Sequence, residues 1–287
     1  MASTGKRTRP AALLELGHRR YDITSRALVM AILNRTPDSF FDHGATWDWS
    51  DFWRRADEVV AQGADLIDVG AVKAGPGPEV TVQEEMDRLL PAVEGLVARF
   101  DVPVSVDTWR AGVAREAFAL GAVVGNDISG FADPGYLAVA AAAGASVVAT
   151  HIRLAPRVPD PEPVYPDLVA DVSRFLSERA EQAIAAGIPA QRVMLDAGLD
   201  LGKTPEQSLQ LLRSSAALVA LGYPVLLSAS NKTFLGGLLG LEVDQRREAT
   251  AAAHALGVSL GCRVLRAHDV VGARRVRDMV GAILEAR

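Results

Sequence analysis

The chain has 287 residues, of which 49% are hydrophobic and 23% charged, a composition typical of a folded globular protein. Thirty basic and 35 acidic side chains give a net charge of −5, which argues against nucleic acid or a membrane surface as a partner. The single cysteine, Cys262, cannot form an internal disulfide, and this predicts a reducing, cytoplasmic location.

Residues 1–26 carry six basic side chains and lack the apolar stretch of a signal peptide, so we predict a flexible leader there. No later segment has the roughly 18 uninterrupted apolar residues of a membrane span. No Pro/Gly/Ser-rich linker divides residues 27–287, which predicts a single domain. The proline cluster Pro156–Pro166 indicates a long strand-to-helix loop.

Eight apolar runs follow, each rich in Val, Ile and Leu without polar alternation. Strands that are buried on both faces have this pattern. The runs cover residues 28–34, 64–70, 103–108, 122–128, 146–152, 193–198, 224–230 and 263–269.

Helix-like segments lie between these runs. Ser50 is a candidate N-cap, Thr81 with Glu84 three residues later forms a capping-box pattern, and Gly187 is a typical residue just past a helix end. The segments cover residues 51–63, 81–100, 165–187, 247–261 and 269–287. Alternation of strand and helix predicts a single α/β (β/α)8 TIM barrel. An open doubly wound sheet is the alternative, but the chain has no GxGxxG turn.

Polar side chains end the apolar runs, and the carboxyl ends of parallel barrel strands meet at one rim. Capping and turn formation alone account for only a few such residues, so we predict a ligand site at this rim. The positions are Asn34, Asp68, Asp107, Asn126, Asp127, His151, Asp196, Ser228, Ser230, Arg266 and His268.

Seven motifs across residues 28–287 resemble those of dihydropteroate synthases, in the family's order and spacing. They are MAILNRTPDSFFDHG (30–44), SVDTWR (105–110), GNDISG (125–130), THIR (150–153), LDAGLDLGKT (195–204), SNKTF (230–234) and LRAHD (265–269). The resemblance implies a pterin-binding TIM barrel that condenses 6-hydroxymethyl-7,8-dihydropterin pyrophosphate with p-aminobenzoate and releases pyrophosphate. It also implies a homodimer joined through the last helices.

The resemblance assigns the pterin to Asp107, Asn126, Asp196 and Lys232. Asp196 would pair with the donor-rich edge of the pterin through two hydrogen bonds, and Lys232 would flank the ring. Departure of pyrophosphate leaves a resonance-stabilised cationic centre on the pterin methylene, so the amine of p-aminobenzoate attacks without a strong protein base.

The pyrophosphate is assigned to Arg266 and His268, with Asn34 as a magnesium ligand. Arg35 stands beside Asn34 in place of a small apolar residue, and a fixed cation there would weaken magnesium binding.

Each residue taken singly also has a structural interpretation. Asp196 could cap a turn, Lys232 could be a solvated loop lysine, and Arg266 could pair with Asp269 at the rim. His151 could be a barrel-end histidine with a structural role.

Departures from the family pattern concentrate in the substrate loops. Residues 70–77 replace a loop of the Gly-Gly-Glu-Ser-Thr-Arg-Pro-Gly type, so its hydroxyl and its arginine are gone, and Lys73 cannot reproduce a planar guanidinium. Further changes are Leu154 for a glycine, Ala197 for a proline, Asp200 for a glycine and Asn231 for an arginine.

We therefore interpret the chain as a divergent paralogue that has lost or nearly lost dihydropteroate synthase activity and keeps a pocket for a pterin-like or p-aminobenzoate-like ligand. The alternative is an active synthase in which Lys73 and Arg35 compensate. A weaker alternative is a pterin-binding methyltransferase. A further alternative is an enzyme for another phosphorylated small molecule, with a new anion site formed by Arg35, Lys73, Lys232 and Arg266.

Overall fold

The computed structural model describes residues 12–36 and 47–286, and its first elements form a hairpin. The two antiparallel strands are β1 (Leu13–Leu16) and β2 (Arg19–Asp22). The flexible leader predicted over residues 1–26 is therefore wrong for its described part. The physical reason is that the hairpin buries Leu14 and Leu16 against the barrel.

Eight further strands are parallel and alternate with helices. They are β3 (Leu28–Asn34), β4 (Leu66–Gly70), β5 (Val104–Asp107), β6 (Val124–Asp127), β7 (Ser146–Thr150), β8 (Val193–Asp196), β9 (Val225–Leu227) and β10 (Val264–Ala267). They form a closed barrel in the order β10-β3-β4-β5-β6-β7-β8-β9. The predicted (β/α)8 barrel and all eight predicted strands are confirmed.

Helices surround the barrel. They are α1 (Trp49–Ala61), α2 (Val82–Arg99), α3 (Ala111–Ala119), α4 (Tyr136–Ala142), α5 (Leu168–Ala185), α6 (Pro205–Arg213), α7 (Ser215–Val219), α8 (Thr233–Leu239), α9 (Arg247–Ser259) and α10 (Val270–Glu285). Short 3-10 turns cover Ala190–Arg192 and Val243–Gln245. Among the described helices, none has both the length and the apolar character needed to cross a membrane.

Helix ends follow local capping chemistry. The capping box of Thr81 and Glu84 is present as predicted, and Gly187 adopts a positive φ of 96° just past the end of α5. The N-cap of α1 is Asp48 and not the predicted Ser50, because the Asp48 carboxylate accepts a hydrogen bond from the Ser50 backbone N–H.

The barrel interior begins with an apolar layer near the amino ends of the strands. It consists of Leu28, Met30, Leu66, Val124, Val148, Met194, Leu226 and Val264. Leu14, Leu16 and Ile23 from the hairpin region belong to the same buried cluster, so the hairpin plugs this end of the barrel. Full burial of one such side chain contributes about 1.5–3 kcal/mol, which explains why the segment is ordered.

Candidate functional site

A layer of polar side chains lies directly above this apolar layer, toward the carboxyl ends of the strands. Side chains two residues apart on a strand face the same side, so Asp68 follows Leu66 into the interior and Arg266 follows Val264. These positions lie at the carboxyl ends of the strands, where barrels place their sites. The site is thus built on rigid strands above an apolar floor.

A charged network occupies the centre of the rim. The Arg266 guanidinium donates from Nε to Asp68 Oδ2 at 2.7 Å and from Nη2 to Asp107 Oδ2 at 3.0 Å. Asp68 also accepts from Ser105 Oγ at 2.6 Å and from Asn126 Nδ2 at 3.0 Å. The structure thus brings together Asp107, Asn126 and Arg266, with Asp68 as the hub that the sequence left without a role.

Burial decides the electrostatics of this network. Burial raises the pKa of Asp107, and Arg266 partly offsets that rise. For Arg266, burial lowers the pKa, but Asp68 and Asp107 raise it by more. The guanidinium charge is therefore shared by two carboxylates, and the network of these three groups is net negative when all are ionised.

The structural interpretation of Arg266 proposed an ion pair with Asp269, and the structure does not show this pair. Asp269 caps α10 by accepting from the Gly272 N–H at 2.9 Å, and it pairs with Arg247 Nε at 2.8 Å. A pyrophosphate at the rim would compete with Asp68 and Asp107 for the charge of Arg266.

The sequence left two interpretations of Asp196 open, a turn cap and a ligand-binding carboxylate, and the structure is compatible with both. Its Oδ1 accepts from the Gly198 N–H at 2.8 Å, so it does stabilise a turn. Within the described residues Oδ2 has no hydrogen-bond donor, and this oxygen can receive a ligand N–H. Burial raises the pKa of Asp196, while Lys232 and Arg266 oppose the rise, which shows that both cations lie nearby.

Lys232 precedes α8 and donates from Nζ to the Leu199 carbonyl at 2.9 Å. Burial lowers its pKa, and the carboxylates of Asp200 and Asp196 raise it. Lys232 is therefore held at the β8 side of the rim and is not a solvated loop lysine.

His268 lies at the end of β10 and is held by Ser230. The Ser230 Oγ is 3.0 Å from His268 Nδ1 and accepts from the His268 backbone N–H at 3.1 Å. Burial, followed by the nearby Arg266 charge, lowers the pKa of His268 to about 3. The imidazole is neutral at pH 7 and can donate a hydrogen bond to an anion, but it supplies no charge.

Lys203 is a site-forming residue to which the sequence assigned no role, although it lies in the LDAGLDLGKT motif. Its Nζ is 2.9 Å from His151 Nδ1 and donates to the carbonyls of Leu201 at 2.9 Å and His151 at 3.2 Å. Burial lowers the pKa of Lys203 to about 7 and that of His151 to about 3. His151 is thus a buried neutral residue with a local partner, in agreement with its structural interpretation.

Asn34 ends β3 opposite Gly70 of β4, at the rim. The next residue, Arg35, is 4% exposed, and its guanidinium lies 3.9 Å from the ring centroid of Trp49 and bonds the Trp47 carbonyl. Burial lowers the pKa of Arg35. Residues 37–40 of the NRTPDSF motif lie outside the described residues, and the expected effect of Arg35 on magnesium remains a prediction.

Asp200 explains one departure from the family pattern in physical terms. Its φ is +67°, a left-handed conformation in which glycine is favoured. The Asp200 carboxylate accepts from the Thr233 N–H at 2.6 Å and from its hydroxyl at 2.7 Å. These bonds fasten the β8–α6 loop to α8 and turn the carboxylate toward that helix.

A groove of about 1100 Å³ lies outside the barrel interior, between α1, α9 and α10. It borders the rim at Ser230 and His268, and Arg55 and Arg247 line it. His254 also lines it, and its Nε2 has no hydrogen-bond partner within the described residues. The groove holds none of the residues predicted to bind the pterin.

A closed eight-stranded α/β barrel with a buried polar rim defines the class of protein. The family model of pterin-binding enzymes matches residues 30–268, and the chain belongs to this family. The matched segment contains every predicted site residue, from Asn34 to His268.

Named relatives are similar over nearly the whole chain. The "Inactive dihydropteroate synthase 2" of Mycobacterium leprae is 46% identical, with 91% of this chain and 92% of the relative covered. The dihydropteroate synthase of Bacillus subtilis is 38% identical, with 96% and 93% covered. The crystal structure of Yersinia pestis dihydropteroate synthase with a sulfonamide drug has a TM-score of 0.91 and 36% identity, with 96% and 100% covered.

Proposed function

We propose that the chain is a dihydropteroate synthase homologue that has lost or nearly lost turnover and retains a pocket for a pterin-type ligand. The pocket comprises Asp107, Asn126, Asp196 and Lys232. An Asp196 oxygen that has no donor among the described residues suits the donor-rich edge of a pterin, and the buried rim strengthens such a pair because water is excluded.

The observation that carries the loss of turnover is the absence of the family arginine from residues 70–77, because the remaining cations are engaged in protein contacts. Arg266 is shared by two carboxylates, the pKa of His268 keeps it neutral, and Arg35 packs on Trp49. Losing one charge-assisted contact costs about 1.5–3 kcal/mol, and each 1.36 kcal/mol is tenfold in rate.

The comparisons support this proposal. A relative that shares 46% of its aligned residues bears the name of an inactive synthase, whereas the synthase from Bacillus subtilis shares 38%. The departures noted in residues 70–77, which remove an arginine and a hydroxyl, point the same way.

Magnesium, dimerisation and location are part of the proposal. Within the described residues no group of three or more His, Cys, Asp or Glu side chains could hold a metal ion. Asn34 would supply a single amide, so magnesium would arrive with the phosphate oxygens of a ligand. The exposed Met279 and Ile283 of α10 support a homodimer joined through the last helices, and we place the protein in the cytoplasm.

The test is pyrophosphate release by the purified protein with magnesium, the pterin pyrophosphate and p-aminobenzoate at saturating concentrations. We expect a rate about 10⁴-fold below an ordinary turnover of about 1 s⁻¹ from a folded sample. Turnover near 1 s⁻¹ would contradict the proposal and favour the active synthase, with Lys73 and Arg35 in compensating roles. Lys73→Ala and Arg35→Ala would then each reduce that rate.

A further inference from the structure

Two loops of the rim are joined by one arginine, although their strands are not neighbours. Arg157 lies in the loop between β7 and α5. Its backbone N–H donates to the Ala74 carbonyl at 3.0 Å, and its Nη1 donates to the Lys73 carbonyl at 3.1 Å. Its Nη2 donates to the Pro78 carbonyl. All three acceptors belong to the loop between β4 and α2.

Barrel topology shows what this contact crosses. The strand order β4-β5-β6-β7 places two strands between the joined loops. Asp107 is the last residue of β5 and Asn126 the next-to-last residue of β6, and the proposed function assigns both to the pterin. The contact of Arg157 with the β4–α2 loop therefore spans the part of the rim at which these two residues lie.

The β7–α5 loop is itself braced, so it can act as a support. Arg153 forms a two-pronged ion pair with Asp160 inside the loop. Tyr165 Oη donates to the Gly202 carbonyl at 2.6 Å, and Gln207 Nε2 donates to the Pro163 carbonyl at 2.9 Å, which ties the loop to the β8–α6 segment.

Arg157 adopts a φ of +68°, a left-handed conformation that is unfavourable for a residue with a Cβ. The three hydrogen bonds to backbone carbonyls offset this cost. Because the acceptors are carbonyls, the contact does not depend on the side chains of the β4–α2 loop.

We propose that Arg157 is a positioning residue that fixes the β4–α2 loop as a wall of the pterin pocket, held in place before any ligand binds. This inference rests on the proposed function for the identity of the ligand. It goes further because it states that Arg157, in the β7–α5 loop, holds the β4–α2 loop in position. A wall held in this way slows entry of the pterin into the pocket.

The experiment is hydrogen–deuterium exchange of the full chain without ligand, for wild type, Arg157→Gly and Arg157→Lys. Glycine accepts the positive φ, so Arg157→Gly removes the side-chain bonds without adding strain. We expect about tenfold faster exchange in residues 71–80 for Arg157→Gly and a smaller increase for Arg157→Lys. Arg115→Ala, an exposed change on α3, is the matched control and should leave this loop unchanged.

Equal exchange in Arg157→Gly and wild type would overturn the proposal. Exchange that accelerates equally in all barrel strands would also overturn it, because Arg157 would then stabilise the whole fold. This readout needs no ligand, so a failure of pterin binding refutes the proposed function separately.

Stopped-flow fluorescence with pterin adds the link to the site, and we expect association to be about three- to tenfold faster in Arg157→Gly. Faster loop exchange with an unchanged association rate would overturn the assignment of this loop as the pocket wall.

Discussion

The strand ends and the loops of the same rim differ in how far they depart from the synthase pattern. Asp107, Asn126 and Asp196 stand on barrel strands, where the register fixes each position, and Asp107 and Asn126 also belong to one hydrogen-bond network. Residues 70–77 begin at the end of β4 and continue into a loop, and they have lost the arginine and the hydroxyl of the family. The difference teaches that the polar residues on the strands are tied to the stability of the barrel, whereas the loop of residues 70–77 can diverge at little cost in folding free energy.

The largest expected effect tests that tie. Arg266→Ala leaves the buried Asp68 and the largely buried Asp107 without their cation. Removing one partner from a buried ion network typically lowers the free energy of unfolding by about 3–5 kcal/mol. Urea denaturation of the variant, with exposed Arg115→Ala as the control, measures it. A loss below about 1 kcal/mol would separate the rim network from barrel stability and break the comparison.

Asp196→Asn tests whether the polar residues on the strands bind the pterin. The amide cannot accept two hydrogen bonds from the pterin edge as a carboxylate does, so we expect the Kd for 7,8-dihydropterin to rise about 10- to 100-fold, or about 1.5–3 kcal/mol. Calorimetric titration measures this, and Asp87→Asn on the exposed surface of α2 is the control. Equal affinity in wild type and Asp196→Asn would place the pterin elsewhere.

The groove between α1, α9 and α10 is a third region, and its residue His254 should make the stability of the fold depend on pH. Burial lowers the pKa of His254 to about 4, below its ordinary value of about 6.5. The unfolded chain therefore binds the proton first, and the stability from neutral His254 is full above pH 6.5 and is lost as the pH falls toward 4.

His254→Leu should remove this dependence. The stability difference between wild type and variant should change by up to about 1.4 kcal/mol per pH unit between pH 6.5 and 4. Denaturation at several pH values measures it, with exposed His18→Gln as the control. A difference that is constant with pH would show that His254 titrates normally.

The smallest effect is expected in the loop. Lys73→Ala should change pterin affinity by less than about twofold, because the loop is held through its carbonyls and not through this side chain. The titration used for Asp196→Asn measures it. A tenfold loss of affinity would show that Lys73 has taken over a ligand contact and would weaken the contrast between strands and loops.

Strands and caps were predictable because their signals are local. An apolar run such as residues 28–34 and the Thr81–Glu84 pattern carry their structure within a few residues. The hairpin was missed because β1 and β2 have four residues each and β2 reads Arg-Arg-Tyr-Asp, which resembles a basic leader. Its order comes from burial of Leu14 against a barrel formed by later sequence.

The site was predictable as a set of positions but not as a network. Asp196 and Lys232 were assigned through motifs, and the structure places both at the rim. The partners of Arg266 lie 198 and 159 residues away along the chain, so no local pattern indicates that Asp68 and Asp107 share its charge. The same holds for Arg157, whose acceptors are backbone atoms about 80 residues away that no side-chain pattern reports.

The most direct test of the central claim is calorimetric titration of the wild-type chain with 7,8-dihydropterin. The proposed pocket of Asp107, Asn126, Asp196 and Lys232 predicts saturable binding at one site per chain, in a sample whose pyrophosphate release is about 10⁴-fold below ordinary turnover. Absence of saturable binding up to about 1 mM would contradict the claim, because a binding free energy weaker than about −4 kcal/mol is too small for a preformed pterin pocket.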